Sequence, residues 1–371
     1  MSEREFNLTA LPKKEKQRLA EAGIEADFTK REGTFIQEDL EVVHCKVEQE
    51  GLELLSTQEA LQKHDWLKDY LWQCMSPDKD EYTKAVKEGP FNGYFIRALP
   101  GVKNLKPIQA ALLIATSGFV QNVHNIIIVE EGAELHIITG CLTTPHISKG
   151  LHLGVTEVYI KKGGKLHFTM IHRWGKDVIV RPRTAVKVEE DGQFISNYIT
   201  LGEVKSVQMF PVVRLKGKRA VAQLQSVLVA PPGSQLDVGG EVICGAPQAR
   251  AEIISRAMTT GGQIISRGRL VGEVGGVKGH LECKGLILKN GFIHAIPELV
   301  AKTDAVELSH EAAVGKIAQE EIEYLMARGL DEEEATSVIV RGFLEADIEG
   351  LPAALQKKLD EVIEETSKDL L

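Results

Sequence analysis

The sequence predicts a mainly β protein, a parallel β-helix core held between helical flanks. Three observations lead there. From Tyr94 to about Ala301, short runs alternate apolar and polar residues with period two, as in Ala133-Glu134-Leu135-His136-Ile137-Ile138, Lys165-Leu166-His167-Phe168-Thr169-Met170 and Gln263-Ile264-Ile265-Ser266. No helical segment of crossover length separates these runs, which argues against a βαβ fold. Aromatic residues make up only 5% of the chain, low for an antiparallel sandwich and suited to a narrow core of Val, Ile and Leu.

Within this region, glycine turns fall at Gly132, Gly164, Gly192, Gly217, Gly233, Gly245, Gly262, Gly276 and Gly291. The later spacings are 12–17 residues and the earlier ones about twice that, which suggests a repeating coil. Glycine supplies the positive φ that such corners need. A sandwich or barrel is the competing architecture. The solenoid is favoured because stacked coils need a repeat, internal apolar positions and capped ends, and the flanks can supply the caps.

Before the coils, residues 1–92 read as a helical region with short breaks. Thr9 can cap a basic helix ending near Gly23, and Ser56 or Thr57 can cap the next, with Leu61, Leu67, Tyr70, Leu71, Cys74 and Met75 on one face. Val42–Val47 fits a strand between them. Ser76-Pro77 and Gly89-Pro90 act as breaks. The β-helix core is expected over 93–301 and a helical C-terminal domain over 302–371. There Ser309 can cap a turn through His310-Glu311-Ala312-Ala313. A helix over Gln319–Arg328 stops at Gly329, and Asp331 with Glu334 starts another through Leu344. A last amphipathic helix follows Gly350-Leu351-Pro352.

Composition removes several function classes. A net charge of −9 argues against nucleic acid as a partner, since phosphate contacts need clustered Lys and Arg. Met1-Ser2-Glu3-Arg4-Glu5 leads into no apolar signal segment, and no apolar run is long enough to span a bilayer. Five cysteines, none in a Cys-x-x-Cys pair, fit a reduced cytoplasmic protein rather than a disulfide framework. Ala313-Val314-Gly315-Lys316-Ile317 looks like a P-loop end but lacks its Ser or Thr and its upstream glycine, so ATP hydrolysis by this chain is not expected. No Gly-x-Ser-x-Gly elbow or His-Glu-x-x-His helix is present.

The donor-rich stretch runs from His280 to Ala312. It contains His280, Glu282, Cys283, His294, Glu298, His310 and Glu311, side chains suited to a borderline-soft metal such as iron or zinc. Cys283 lies in a strand pattern, where a lone cysteine is commonly a small buried hydrophobe. His310-Glu311 sits at an expected strand-to-helix boundary. It reads either as a helix-terminal pair satisfied by backbone or as a ligand pair.

Several ordered stretches carry a family resemblance. They are Gly93-Tyr94-Phe95-Ile96-Arg97 with Pro100-Gly101-Val102; Glu131-Gly132-Ala133 through Gly140-Cys141; Ile253-Ile254-Ser255-Arg256 with Ser266-Arg267-Gly268-Arg269-Leu270-Val271; and His280-Leu281-Glu282-Cys283-Lys284-Gly285-Leu286-Ile287-Leu288 followed by Pro297 and Ser309-His310-Glu311-Ala312-Ala313-Val314-Gly315-Lys316-Ile317. Over roughly residues 93–346 the chain resembles the SufB/SufD family, scaffold proteins of the SUF iron–sulfur cluster assembly system. The resemblance implies a right-handed parallel β-helix and a helical C-terminal domain on which an ABC-type ATPase docks. It also implies a dimer, with itself or with a paralogous scaffold, that holds a transient iron–sulfur cluster. The family histidine matches His310, its acidic neighbour Glu311, and a strand cysteine Cys283. These three are the expected metal ligands, with His294, Glu298 and Glu282 behind them. Two family cysteines are replaced, one by Asn290 and one, in the middle of the core, by Thr200.

No catalytic role is expected on this reading. A ligand-free, SufD-like structural partner is the nearest alternative. A carbohydrate-active β-helix enzyme is another, with Glu157, Arg173, Arg181 and Arg183 as its candidate groups.

Overall fold

The computed structural model describes residues 12–25, 30–104 and 106–344. The chain winds into a solenoid of two sheets, one of ten strands and one of eleven. We call the sheet ending in Glu307–Gly315 sheet one and the sheet ending in Phe292–Ala301 sheet two. The last strands show the winding: Gln263–Gly272 lies in sheet two, Lys278–Ile287 in sheet one, Phe292–Ala301 in sheet two and Glu307–Gly315 in sheet one.

Each strand pairs in parallel with the equivalent strand of the next coil. One inner column of sheet one reads Leu166, Phe194, Ala222, Ala251, Gly279, Leu308. From Leu166 onward a coil is therefore 28 or 29 residues long, the coil before it is 31, and the 12–17-residue glycine spacing is half a coil. The pairing is antiparallel at the N-terminal end only, where Gly33–Glu38 meets Glu41–Val47 and Leu52–Ser56 meets Tyr94–Ala98. Alternation sends Leu135, Leu166, Phe194, Val213, Leu236, Ile253, Leu270 and Leu281 into one continuous core between the sheets.

The turn glycines do two jobs, only one of which was expected. Gly132, Gly233 and Gly276 have positive φ. Gly217 and Gly262 do not; a Cβ on Gly217 would lie 1.8 Å from the backbone N of Glu190 one coil away, and one on Gly262 would lie 2.5 Å from the carbonyl of Pro231. There glycine is required by close approach between coils, not by its φ.

Helices cover the flanks of the rod. The helix Lys13–Glu21, preceded by Pro12, sets Leu19 against Ile36, Ala111 and Leu113; the expected cap Thr9 lies outside the described residues. Val340 and Leu344 of the helix Glu332–Leu344 pack on Ile171, Ile199, Val227 and Met258, on the outer face of sheet one. On sheet two, Val86 of the helix Glu81–Glu88 meets Leu153, Val155 and Ala185.

Several local expectations hold. Ser56 caps Thr57–Lys63 by accepting from Glu59 N. Asp331 and Glu334 cap each other's backbone N–H reciprocally, and Gly329 has φ +100°. The described C-terminal helices are Gln319–Met326 and Glu332–Leu344, and the helix expected after Pro352 lies outside the described residues. Three expectations need correction. The amphipathic pattern from Thr57 to Met75 is not one helix; it breaks at His64 and continues as a 3-10 helix over Asp65–Asp69. Residues 33–56 hold three strands, not one. Residues 307–315 are a strand, so Ser309 caps nothing and His310-Glu311 is not at a helix start.

Glu157 pins residues 72–75 to the outer face of sheet two. Its carboxylate accepts from the backbone N–H of Trp72 (2.5 Å), Cys74 (2.7 Å) and Met75 (3.1 Å), and His124 Nε2 lies 2.9 Å away. Both side chains are fully buried. Glu157→Gln turns one acceptor oxygen into a donor facing those N–H groups. The expected cost is about 3 kcal/mol, read as a lower denaturation midpoint with faster hydrogen exchange confined to residues 70–76.

Candidate functional site

The six residues expected to form the site are distributed over three surfaces at the C-terminal end of the rod. Cys283 and His310 face inward from sheet one. Cys283 is opposite Ala312 in register and His310 is opposite Leu281, so the two are diagonal neighbours on adjacent strands. Glu282 and Glu311 are paired with each other and face outward from the same strands. His294 and Glu298 lie on the outer face of sheet two, opposite Ile265 and Arg269, and Glu298 pairs with Arg269 at 3.3 Å.

The expected trio Cys283, His310 and Glu311 is therefore not a single cluster in this protomer. The physical reason is the strand at 307–315. Had His310 and Glu311 begun a helix, both could point to one side; in a strand, consecutive side chains point to opposite faces. The structure instead gathers His280, Glu282 and Glu311, whose donor atoms lie within 4.8 Å of one another. His280 Nδ1 is 2.9 Å from Ser309 Oγ. Arg256 and Lys284 bind Glu282; burial raises its pKa, but these two cations more than offset that and leave it lowered. The 29-residue separation of Glu282 and Glu311, one coil, is the signal that could have joined them. It becomes readable only once the coil length is known.

Cys283 is 2% exposed. Its Sγ lies 3.9 Å from Ser266 Oγ, which is 3.0 Å from Ser255 Oγ. Burial pushes the thiol up, with Ser266 partly opposing and the Glu282 charge adding to the rise. In register, Cys283 continues an inner column through Tyr198, Ser226 and Ser255. Beyond it lies only the last strand of sheet one. Asn290 sits in the exposed turn that links Ile287 to Phe292, and Thr200 is buried opposite His172.

The last coil is uncovered among the described residues. Inner-face residues of the preceding strand, Gly279, Leu281, Cys283 and Gly285, are buried; of their equivalents on the last strand, His310, Ala312 and Val314 are exposed and Leu308 is half-buried. Phe292 is 53% exposed at the start of the terminal strand of sheet two.

The groups proposed for carbohydrate chemistry are engaged in structure. Glu157 is the buried anchor described above, Arg173 bonds Glu21 at 2.8 Å, Arg181 donates to the Ser206 carbonyl and Arg183 binds Asp80. A cleft of about 430 Å³ on sheet two is lined by Lys79, Arg183, Arg267 and Arg269. Its carboxylates Asp80, Asp237 and Glu298 are each paired with an arginine.

These features define a β-helix protein whose candidate chemistry sits at an end of the rod that no described residue covers. Residues 112–343 match the family model described as SUF system FeS cluster assembly, SufBD core domain. The chain belongs to the SufBD family, and the family's process is iron–sulfur cluster assembly. It is 51% identical over 358 residues to an iron–sulfur cluster assembly SufBD family protein of Archaeoglobus fulgidus, covering 96% of each chain. A Methanothermobacter thermautotrophicus member is 44% identical, with 97% of this chain and 89% of that one covered. The iron–sulfur cluster assembly protein SufB of Bacillus subtilis is 30% identical over 95% of this chain and 78% of its own length. No described helix is long and apolar enough to cross a membrane.

A buried thiol with a raised pKa reacts slowly, because only the thiolate is nucleophilic and burial shrinks its share at neutral pH. At pH 8 the isolated protomer is expected to alkylate at Cys283 at least about tenfold slower than glutathione, with the rate climbing as pH rises. Site-resolved mass spectrometry measures this.

Proposed function

We propose that this chain is a non-catalytic scaffold on which an iron–sulfur cluster is built and handed on, at the open end of the rod and between two protomers. The observation that carries this reading is the last coil, which no described residue covers. It leaves an unpaired strand edge and apolar inner-face groups exposed beside His310, one strand away from Cys283. A second protomer against this end would cover Val314 and Phe292, and fully burying one such side chain contributes roughly 1.5–3 kcal/mol. A twofold contact brings two thiols and two imidazoles together from single copies per chain. The partner is a second copy or a paralogous scaffold.

The cluster is cargo in this scheme. Cys283 and His310 are its first ligands. Glu311 and Glu282 sit on the outer rim of sheet one, and His294 and Glu298 on that of sheet two, as entry or exit groups. Iron–sulfur clusters are held chiefly by thiolates, with histidine an occasional replacement, and a mixed set holds its cargo less firmly than four cysteines. That suits a protein that must release what it assembles. Because Cys283 is buried, loading requires the terminal strands to shift. An ABC-type ATPase docked on the C-terminal helices would supply that motion. Tyr324, Met326 and Val338 on these helices are exposed apolar groups that suit such a contact, and the chain's own sequence lacks a P-loop. Five free thiols suit a reduced, cytoplasmic setting.

A second reading, a structural SufD-like partner without a cluster of its own, draws support from Asn290 and Thr200 standing where family cysteines are expected. Anaerobic reconstitution with ferrous iron and sulfide separates the two. Wild-type protein is expected to gain cluster absorbance, and Cys283→Ser and His310→Ala to lose most of it. Wild-type absorbance in both variants would refute the ligand assignment. Co-purification with the ATPase and no metal uptake in any state would favour the structural partner.

A further inference from the structure

A second donor cluster lies at the other half of the rod. Glu134 and His136 sit two apart on the strand Glu134–Thr143, so alternation puts both on the outer face of sheet one. His167, on Lys165–Arg173, is the register partner of His136. The two imidazoles stack with centroids 4.3 Å apart and planes 3° from parallel. Glu134 Oε1 is 3.4 Å from His136 Nε2. One donor atom from each of the three residues lies within 4.8 Å of the others.

The site is built rather than incidental. Buried Asn104 clamps the backbone of His136 from both sides: its Oδ1 accepts from His136 N at 2.8 Å, and its Nδ2 donates to His136 O at 3.1 Å. The strand register fixes His167 beside it. Burial raises the Glu134 pKa, but His136, Lys165 and His167 together leave it lowered. The side chains are half-buried, with Glu134 28% and His136 37% exposed, which leaves an open approach from solvent.

We propose that Glu134, His136 and His167 form a binding site for one divalent transition-metal ion on the outer face of sheet one. Two imidazoles and one carboxylate suit borderline ions such as ferrous iron, cobalt, nickel or zinc, and fit neither calcium, which takes oxygen ligands, nor copper(I), which prefers sulfur. Metal–ligand bonds of about 2.0–2.2 Å in tetrahedral geometry set neighbouring donors about 3.4 Å apart, the separation that Glu134 and His136 already have. Parallel stacked rings cannot aim two lone pairs at one point, so His167 must rotate about its Cβ–Cγ bond on binding. Lys165, in register with Glu134, repels a cation and makes the site exchangeable rather than structural. Three protein donors leave a coordination position for water or another ligand.

This site goes beyond the assembly reading and does not depend on it. His167 and His280 occupy one outer column of sheet one, separated by Ile195, Gln223 and Glu252. Four coils at about 4.8 Å each place them about 19 Å apart, too far to share an ion.

The test uses full-length protein stripped with a chelator and titrated anaerobically with Co²⁺, followed by visible absorption and calorimetry. One equivalent with a d–d band is expected in wild type, and equally in a Cys283→Ser/His310→Ala double variant that cannot hold a cluster. His136→Asn/His167→Asn should bind at least tenfold more weakly, and Glu134→Gln should fall between. His280→Asn should leave this equivalent unchanged. Circular dichroism checks that each variant is folded, and His167→Gln alone replaces the double variant if it is not. No Co²⁺ uptake by wild type, or undiminished uptake by folded variants lacking the imidazoles, overturns the proposal.

Discussion

Every coil of this protein is a half-finished structure. A strand in a parallel stack satisfies its backbone groups only by pairing on both sides, and its inner face becomes dry only when the next coil covers it. That single dependence orders the molecule. At the N-terminal end the chain turns back on itself, so the antiparallel strands Glu41–Val47 and Leu52–Ser56 cover the first coil and become the edge strands of their sheets. Along the sides, helices cover the outer faces. At the C-terminal end the described chain supplies no such cover. Among the described residues, the strands Phe292–Ala301 and Glu307–Gly315 each keep one unpaired edge, with His310, Ala312 and Val314 on the exposed inner face. Exposed sheet edges are a hazard that proteins usually blunt, and the proposed protomer contact would blunt this one.

Alternation made much of the rod legible from sequence. The runs after Gly233 read as strands because their inner positions are apolar and their turns carry glycine at half-coil spacing. The terminal strand did not read that way. Ser309-His310-Glu311-Ala312-Ala313 joins a good cap to good helix formers, and its inner positions are polar or small. Only pairing with Lys278–Ile287 makes it a strand, and that information lies one coil upstream. The N-terminal strands Gly33–Glu38 and Leu52–Ser56 were hidden for a related reason. They are short, they are flanked by charged residues, and they are held by partners far along the chain, Ile108–Leu113 and Tyr94–Ala98. Local propensity lost to tertiary pairing in each case.

The candidate site was legible as a set of residue types, not as a geometry. Treating 307–315 as helical put His310 and Glu311 together; the strand separates them and pairs Glu311 with Glu282 instead. The outer clusters follow a rule that no window of adjacent residues reveals: donors one coil apart meet when both point outward. His136 and His167, 31 residues apart, obey it, as do Glu282 and Glu311. Once the coil length is fixed, such columns can be read directly.

The burial of Cys283 then acquires a mechanical meaning. The thiol sits in the penultimate strand of sheet one, roofed by a final strand whose own inner face is bare. Cover over the thiol and exposure of the neighbouring imidazole are thus two consequences of where the last strand lies. A displacement of Glu307–Gly315 would uncover the sulfur and move His310 with it, because the strand that carries the imidazole is the strand that shields the thiol. The helix Glu332–Leu344 follows that strand after residues 316–331, which include the helix Gln319–Met326, and it shares an apolar cluster with Leu286 and Met258. Under the proposed docking, motion of the helices would reach the thiol through this shared cluster.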